Sequence, residues 1–340
     1  MVMQEAIRAL IEGGAIEPAM AAQALEEIMT GAATPAQIGA FLAGLRMRGE
    51  TPQVIAACME VTQRHCEPVP ASNVIDIVGT GGDGADTFNV STASAFVVAG
   101  AGIRVAKHGN RAASSKAGSA DTLEVLGARL DLTGEQAAHV IDACGFCFLF
   151  AQRFHPAFRH VGGPRREMAT RTIFNVLGPL TNPARPRAML VGVGTLALGP
   201  LMAEAFRLRG LERAMVVHSA DGLDEISPAG VTYAWIVAEG VVADRELTPG
   251  DFGLPSHPLD SVRGGDPVEN AGVLQAVVDG AEGPVTDFVL MSASAALVIA
   301  GAVPDFVVGT QVARDAIASG RAREVLDQYV RLSQEYAPRE

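Results

Sequence analysis

Lysine is nearly absent from this chain of 340 residues. Of its 26 basic residues, 24 are arginine and only two are lysine, Lys107 and Lys116, which lie nine positions apart. Lysine carries a compact ammonium and arginine a broad planar guanidinium, so the two lysines in one short stretch favour a local requirement for the smaller cation. The alternative is a compositional bias toward arginine that left two lysines by chance.

Cysteine and long apolar runs are also scarce. Among the four cysteines, Cys144 and Cys147 form a single CxxC without a second pair or histidines at ligand spacing, which argues against a zinc site and favours buried, reduced thiols. The N-terminus lacks the apolar core of a signal peptide. The longest strongly apolar stretch, residues 288–304, is too short and too rich in small residues for a spanning helix. We therefore expect a cytoplasmic protein without a membrane partner.

The charge balance is acidic, with 38 acidic residues against 26 basic ones and a net charge of -12. Because affinity for nucleic acid needs clustered positive charge, we expect no nucleic-acid partner. One region departs from this balance. Residues 104–171 hold ten basic and six acidic side chains, a net charge of +4, which leaves -16 for the rest. This basic strip suits small anions.

The spacing of apolar residues predicts two kinds of structure. Residues 1–70 read as helices, since Ile38, Phe41 and Leu45 share one helical face and Thr34 with Gln37 forms a capping pair. From residue 73 onward, short β-branched runs alternate with longer helical stretches, which is typical of an α/β fold with a parallel sheet. The predicted strands are 74–78, 103–106, 189–193 and 214–217, and the predicted helices of this part include 91–99, 201–208 and 322–336.

These patterns predict the α/β class, with a small all-helical domain and a larger α/β domain whose central, largely parallel sheet is flanked by helices. The helical domain spans residues 1–70 and includes a returning insertion near 165–186, where the pattern turns helical again. The α/β domain comprises residues 71–164 and 187–340.

The first chemical motif is GTGGD at residues 79–83, followed by TFNVST at 87–92. A buried strand runs into a glycine-rich turn and then into a helix, and the backbone N–H groups of such a turn bind anions. Asn89, Ser91 and Thr92 add donors, and Ser91 can also face a metal ion. The GxxxxGK[ST] fingerprint of nucleotide-triphosphate sites is absent. An ordinary tight turn with a helix cap is the alternative.

The second motif, KHGNRAASSKAGSAD at residues 107–121, begins where the strand 103–106 ends and contains both lysines. Its cations, serines and glycines can wrap a polyphosphate, although a solvated surface loop is the alternative. The third motif, HSADGLDEIS at 218–227, follows the strand 214–217 and brings three carboxylates to a strand end where α/β proteins bind ligands. Of these, Asp224 and Glu225 suit a magnesium ion that bridges carboxylate and phosphate.

The fourth motif combines an aromatic strand end at residues 148–151 with His155, Arg165 and Arg166. A guanidinium beside aromatic side chains can hold an organic carboxylate in a bidentate pair. An exposed arginine pair at a helix start explains the same residues equally well. We interpret His155 as a structural residue or pocket wall and not as a base.

These motifs, in this order, resemble the anthranilate phosphoribosyltransferase family over nearly the whole chain. Further matching segments are GAATPAQ at 31–37, RTIFNVLGPLTNP at 171–183 and GGD at 264–266. The chain departs from the family pattern at residues 152–154 and 162–164, which border the anthranilate side, and at Ser292. The resemblance implies an active site at the hinge between the two domains and a homodimer formed through the helical domain.

The resemblance also implies an activity in tryptophan biosynthesis. The family transfers the phosphoribosyl group from phosphoribosyl pyrophosphate to the amine of anthranilate and releases pyrophosphate, with magnesium, for which we expect two ions per active site. The implied catalytic residues are Lys107 and Asp83. The implied phosphoribosyl pyrophosphate residues are Gly79, Gly82, Asp83, Thr87, Asn89, Val90, Ser91, Thr92, Lys107, Ser115 and Ser119. The implied anthranilate residues are Gly79, Asn110 and Arg165, and the implied metal ligands are Ser91, Asp224 and Glu225.

Two other functions fit part of this pattern. A pyrimidine nucleoside phosphorylase shares the implied fold but normally carries Ser-Gly-Arg after the lysine, so Asn110 and Arg165 argue against it. A relative that has lost catalysis and binds nucleic acid would need a basic face, whereas this chain is acidic and retains the carboxylates of the third motif.

Overall fold

The first part of the chain is a bundle of four helices. The computed structural model describes residues 2–112 and 116–336. Thr34 caps the third helix, because its side chain accepts a hydrogen bond from Gln37 N while the Gln37 side chain accepts one from Thr34 N. The four helices are α1 (Val2–Ile11), α2 (Pro18–Met29), α3 (Pro35–Arg48) and α4 (Pro52–Arg64).

Within the described residues, the second part is built on one sheet of seven strands in the order β3-β2-β1-β4-β5-β6-β7. The first five strands are parallel, and β6 and β7 form an antiparallel hairpin at one edge, which the sequence pattern did not predict. The strands are β1 (Ile75–Gly79), β2 (Val105–Gly109), β3 (Phe146–Phe150), β4 (Ala188–Gly192), β5 (Arg213–Ser219), β6 (Thr232–Ala238) and β7 (Val241–Leu247). The predicted α/β class with a helical domain and a largely parallel sheet is confirmed.

Helices connect and cover the strands. They are α5 (Val90–Gly100), α6 (Ser119–Val125), α7 (Gly134–Cys144), α8 (Ala151–Phe154), α9 (Arg159–Met168), α10 (Phe174–Leu180), α11 (Leu198–Leu208), α12 (Pro267–Val278), α13 (Pro284–Ile299), α14 (Phe306–Ala318) and α15 (Arg321–Glu335). Within the described residues, no helix combines the length and apolar character needed to cross a membrane.

The predicted second strand, 103–106, was wrong in its bounds, because β2 continues to Gly109. Its ladder with β3 runs from Val105 opposite Phe146 to Gly109 opposite Phe150. Lys107 is therefore a buried strand residue and not the first residue of a loop. The error arose because a lysine normally marks the end of a buried strand, and only tertiary contacts satisfy this one.

The two faces of the sheet bury different sets of side chains, because successive strand residues point to opposite faces. Ile77 and Leu190 belong to a hydrophobic core shared with helices α5, α7 and α12–α15. Val78 and Val191 belong to a second core that also contains residues of α11 and of the N-terminal helices. The helical bundle thus packs on the sheet without a separate core.

The segment between β3 and β4 returns to the helical bundle. Val161 of α9 and Leu177 of α10 are buried in the same core as the N-terminal helices. The loop after α10 is anchored to the sheet by Asn182, whose Nδ2 donates to Asp76 Oδ2 at 2.8 Å and to the Ala106 carbonyl at 2.7 Å. One buried amide therefore joins this segment to β1 and β2.

We expect Asn182→Ala to lower the free energy of unfolding by about 2–4 kcal/mol, because it removes two buried hydrogen bonds and leaves the buried Asp76 carboxylate short of a donor. Urea denaturation followed by circular dichroism measures the change. Gln311→Ala, at an exposed position on α14, is the control and should stay within about 0.5 kcal/mol of the unchanged chain. Equal losses in both variants would contradict the anchoring role.

Candidate functional site

The carboxyl ends of β1, β4 and β5, together with β2, bring the first three sequence motifs to one edge of the sheet. Gly81 N, in the loop after β1, donates to Asp224 Oδ2, in the loop after β5, at 2.6 Å. Lys107 Nζ, on β2, donates to the Ile77 carbonyl at 2.5 Å and to Ser91 Oγ, at the start of α5, at 3.2 Å. Residues far apart in sequence therefore meet where α/β folds place ligands.

The loop after β1 requires glycine for both conformation and space. Gly81 and Gly82 have φ values of +69° and +79°, in the left-handed region that side chains disfavour. A Cβ on Gly79 would lie only 2.6 Å from Asp224 Oδ2. The loop thus stays close to the acidic loop and leaves its backbone exposed, as anion binding requires.

The start of α5 presents hydroxyl groups beside this loop. Thr92 Oγ1 donates to Ser119 Oγ at 2.8 Å, which joins α5 to the first residue of α6. Asn89 is engaged at both ends of its amide: Nδ2 donates to the Ala117 carbonyl at 3.1 Å, and Oδ1 accepts from Thr122 Oγ1 at 2.8 Å. The side chain of Asn89 therefore holds the second motif in place.

Thr87 and Val90 flank this helix start. Thr87 forms an isolated bridge with Arg263 of the segment before α12. Val90 is the first residue of α5, its side chain is buried, and its backbone N–H donates to the Phe88 carbonyl at 2.6 Å.

Lys107 is the most buried cation of the site, with 1% of its surface exposed. Burial lowers the pKa of its ammonium, and the negative charges of Asp76 and Glu225 oppose that effect. The other lysine, Lys116, is exposed. The two lysines that share one motif thus occupy opposite environments.

The acidic loop concentrates negative charge. Burial, followed by the charge of Asp83, raises the pKa of Asp224 to about 7. Burial and the charge of Asp224 raise the pKa of Glu225 well above its usual range, while Lys107 lowers it. The third carboxylate of the motif is used locally, because Asp221 accepts hydrogen bonds from the Ser219 hydroxyl and, at 2.5 Å, from Ser227 Oγ. Asp221 therefore closes the turn of its own loop, and Asp83 is the third carboxylate whose charge acts on Asp224 and Glu225.

The donor set at this edge fits a magnesium ion. Across residues 2–112 and 116–336, no three His, Cys, Asp or Glu side chains form a metal-binding group. Carboxylate oxygens of Asp224 and Glu225 and the hydroxyl of Ser91 are hard ligands of the kind that magnesium takes. Magnesium is commonly held by one or two carboxylates and completed by substrate phosphates and water, so two carboxylates suffice.

The second motif is closed into a loop by Asp121. Its Oδ2 accepts from Ala112 N at 3.1 Å and from Gly118 N at 3.0 Å, and its Oδ1 accepts from Arg111 Nη1 at 3.0 Å. Ser119 begins α6 behind this closure. Ser115, which the resemblance assigns to phosphoribosyl pyrophosphate, lies outside the described residues.

The fourth motif lies on the side of the site formed by the returning segment. Arg165 is partly buried, its guanidinium lies 5.7 Å from the centre of the Phe174 ring, and Nη2 donates to Asn175 Oδ1 at 3.4 Å. Asn110 Oδ1 accepts from Gln152 Nε2 at 3.3 Å, so the segment that departs from the family pattern contacts a predicted anthranilate residue.

Two histidines on this side have unusual surroundings. The rings of His108 and His155 lie 5.0 Å apart, and His155 stacks on Phe158 at 4.8 Å. Burial lowers the pKa of His155 to about 4 and that of His108 well below its usual range, so both rings are neutral near pH 7. Neither Nε2 has a hydrogen-bond partner within the described part of the chain. The interpretation of His155 as a wall residue is compatible with this stacking.

Sequence reasoning missed one contact. Arg171 Nη2 donates to the Gly81 carbonyl at 2.7 Å, which links the returning segment to the glycine-rich loop. The only signal in the sequence was the position of Arg171 at the head of a segment that matches the family. Nothing in that spacing indicates a contact with a residue 90 positions away.

Comparison with known proteins matches the chain from end to end. Residues 4–66 match the helical bundle domain of a glycosyl transferase family, and residues 71–323 match its a/b domain. An anthranilate phosphoribosyltransferase of Thermomicrobium roseum is 49% identical over 98% of both chains. The crystal structure of the Thermus thermophilus anthranilate phosphoribosyltransferase has a TM-score of 0.92 and 41% identity, covering 97% of this chain and 99% of that one.

A third similar protein was solved with ligands. The Saccharomyces cerevisiae anthranilate phosphoribosyltransferase, in complex with PRPP (phosphoribosyl pyrophosphate) and Mg, is 28% identical over 98% of both chains, with a TM-score of 0.90. Identity and coverage of this extent, on the same fold, show that the chain belongs to the anthranilate phosphoribosyltransferase family.

Proposed function

We propose that the chain transfers the phosphoribosyl group from phosphoribosyl pyrophosphate to the amine of anthranilate, giving N-(5'-phosphoribosyl)-anthranilate and pyrophosphate in tryptophan biosynthesis. The observation that carries the proposal is the convergence of the glycine-rich loop, Lys107 and the Asp224–Glu225 pair at one sheet edge. Family membership supplies the identity of the two substrates.

The arrangement supports a division of labour on phosphoribosyl pyrophosphate. We propose that backbone N–H groups of the glycine-rich loop and the hydroxyls at the start of α5 hold its phosphates. Departing pyrophosphate gains negative charge, and Lys107 is the buried cation nearest to Ser91 that can stabilise it. We assign Asp83 as the second catalytic residue, because its charge acts beside Asp224 and favours a ribosyl centre that becomes cationic.

Magnesium, when bound, would supply positive charge that offsets the negative charge of the substrate phosphates. We propose Ser91, Asp224 and Glu225 as its protein ligands and two ions per active site. Asp224 is buried and Glu225 is half-buried, and neither carboxylate forms a salt bridge within the described residues, which supports a divalent ion as their partner, since unpaired buried carboxylates are unfavourable.

Anthranilate would lie on the other side of the site. We propose that the Arg165 guanidinium and the Asn110 amide hold its carboxylate and that the backbone of Gly79 borders the bound anthranilate. Fixing the carboxylate orients the amine for attack on the ribosyl carbon, and most of the catalysis is then positioning. Both nearby histidines are neutral near pH 7, which leaves their rings able to accept or donate one hydrogen bond.

Three further features stay proposals. We propose a helical domain of residues 1–70 that includes the returning insertion near 165–186. The α/β domain then comprises residues 71–164 and 187–340. The packing of α9 and α10 with the N-terminal helices supports the assignment of the insertion to the helical domain. We propose a homodimer through the helical domain, on which Ile11 and Met47 are exposed apolar residues. We also propose a cytoplasmic location, which the four free cysteines support, because the cytoplasm keeps thiols reduced.

The experiment that tests the function follows the fluorescence of anthranilate. Purified protein is given anthranilate and phosphoribosyl pyrophosphate with magnesium or with a chelator, and in parallel thymidine with phosphate. We expect loss of fluorescence only when magnesium and both substrates are present. Phosphorolysis of thymidine without anthranilate turnover would favour the nucleoside phosphorylase instead.

The double variant Asp224→Ala with Glu225→Ala should raise the magnesium concentration needed for half-maximal turnover by about tenfold or more, because it removes both proposed carboxylate ligands. Anthranilate binding should change less than about twofold, since neither carboxylate touches Arg165. Asp244→Ala with Glu246→Ala, two exposed carboxylates on β7, is the matched control. Equal losses of magnesium dependence and anthranilate binding would refute the metal assignment.

Lys107→Arg should reduce kcat by about tenfold or more, because the larger guanidinium must replace an ammonium that is fully buried and already bonded to the Ile77 carbonyl. Steady-state kinetics measures the loss, and the melting temperature shows whether folding is affected. Lys116→Arg makes the same change at an exposed side chain and should have a smaller effect. Near-normal activity of Lys107→Arg would mean that the lysine survives by chance.

A further inference from the structure

One residue of the glycine-rich loop, Gly81, is held from two sides. Gly81 N donates to Asp224 Oδ2 at 2.6 Å, and the Gly81 carbonyl accepts from Arg171 Nη2 at 2.7 Å. Asp224 belongs to the loop after β5, whereas Arg171 lies between α9 and α10. A single glycine therefore connects the proposed metal side of the site with the returning segment.

The surroundings of Arg171 are shaped for a guanidinium. A Cβ on Gly82 would lie 3.2 Å from Nη2 of Arg171. A Cβ on Gly194 would lie 3.2 Å from Nη1 and 3.1 Å from the Gly81 carbonyl oxygen. No carboxylate forms a salt bridge with Arg171 within the part of the chain that the structure describes. The strongest contact of Arg171 is therefore its hydrogen bond to the Gly81 carbonyl. Gly82 and Gly194 have no side chains, which leaves space for the guanidinium.

Holding that carbonyl has a consequence for the next residue. The peptide between Gly81 and Gly82 is planar and trans, so the Gly82 N–H points away from the carbonyl that Arg171 binds. Among the described residues, Gly82 N donates to no protein acceptor, and Gly82 is exposed. The N–H is thus directed away from Arg171 and is available to a ligand.

We infer that Arg171 is a positioning residue for phosphoribosyl pyrophosphate. It fixes the orientation of the Gly81–Gly82 peptide, so that the Gly82 N–H donates to a phosphate oxygen without first having to reorient. The inference rests on the proposed function and assigns Arg171 no contact with substrate. Because a glycine-rich loop has many accessible conformations, an external hydrogen bond that selects one of them strengthens binding.

The same segment also reaches the anthranilate side. Thr172 N donates to Asn175 Oδ1 at 3.0 Å, and this oxygen also accepts from Arg165 Nη2. Arg171 and Arg165 therefore emerge from one short stretch but act on different parts of the site. This difference makes the two arginines a useful pair for comparison.

The first test replaces Arg171 by glutamine, which removes the charge-assisted bond to Gly81. We expect kcat/KM for phosphoribosyl pyrophosphate to fall about tenfold, while KM for anthranilate stays within about twofold. Arg171→Lys should recover part of the loss, because its ammonium can still donate to the carbonyl. Arg165→Ala should show the opposite split, with the larger change in KM for anthranilate. Arg166→Gln, the same change at an exposed arginine of α9, is the matched control.

The second test leaves Arg171 in place and disturbs its space. Gly194→Ala puts a methyl group 3.2 Å from Nη1 of Arg171 and 3.1 Å from the Gly81 carbonyl oxygen, where it crowds their hydrogen bond, so it should lower kcat/KM for phosphoribosyl pyrophosphate severalfold. In the Arg171→Gln background the same change should cost less, because the bond that it disturbs is already lost. Gly272→Ala on α12, where a Cβ meets nothing within 4 Å, is the control.

The outcomes separate the inference from the function on which it rests. If the unchanged protein does not consume anthranilate, the proposed function fails. If it does, and Arg171→Gln behaves like Arg166→Gln, only the inference is overturned. Should Arg171→Gln fail to fold by circular dichroism, Gly194→Ala decides, and unchanged kinetics for phosphoribosyl pyrophosphate in that variant would overturn the inference.

Discussion

The burial of two opposite charges on neighbouring strands is the constraint on which the site depends. The Lys107 ammonium and the Asp76 carboxylate are both removed from water, and a buried charge is tolerated only when it is paired and hydrogen-bonded. Burial raises the pKa of Asp76 to about 6, and the charge of Lys107 lowers it. Each group therefore depends on its own hydrogen-bond partners, and the opposite charge nearby adds to their effect.

Those partners come from every element that forms the site. Lys107 bonds to β1 through the Ile77 carbonyl and to α5 through Ser91. Asp76 accepts from the backbone of His108 and from Asn182, which follows α10. The two buried charges thus join the sheet, the start of α5 and the returning segment. Loss of any of these contacts would leave a buried polar group without a hydrogen-bond partner, because none of these groups can turn to water.

Much of the fold was readable from local pattern. Apolar periodicity predicted the helices of the first part and the alternation of the second, because each element buries one face. The bounds of β2 were wrong, since the pattern treats Lys107 as polar and cannot see the groups that satisfy it. The hairpin of β6 and β7 was missed; much of β7 is exposed and lacks an apolar run.

The candidate site was readable to a similar extent. Motif order led to the family, and the glycine-rich loop, Lys107 and the acidic loop do meet. Spacing favoured the adjacent Asp224 and Glu225 over Asp221 as metal ligands; in the structure Asp221 closes its own turn and Asp224 faces Gly81. It also treated Asn89 as a free donor, whereas contacts with Ala117 and Thr122 engage its amide.

The two lysines show which features of this protein follow from the sequence and which depend on the tertiary structure. The sequence by itself determined the family, the α/β class and the stretch in which both lysines occur, because these follow from residue type and order along the chain. Only the tertiary structure decided that Lys107 is buried while Lys116 is exposed, and that Arg171 reaches Gly81 across 90 positions. The physical reason is that burial and hydrogen-bond partners arise from contacts between distant segments, which local spacing does not encode.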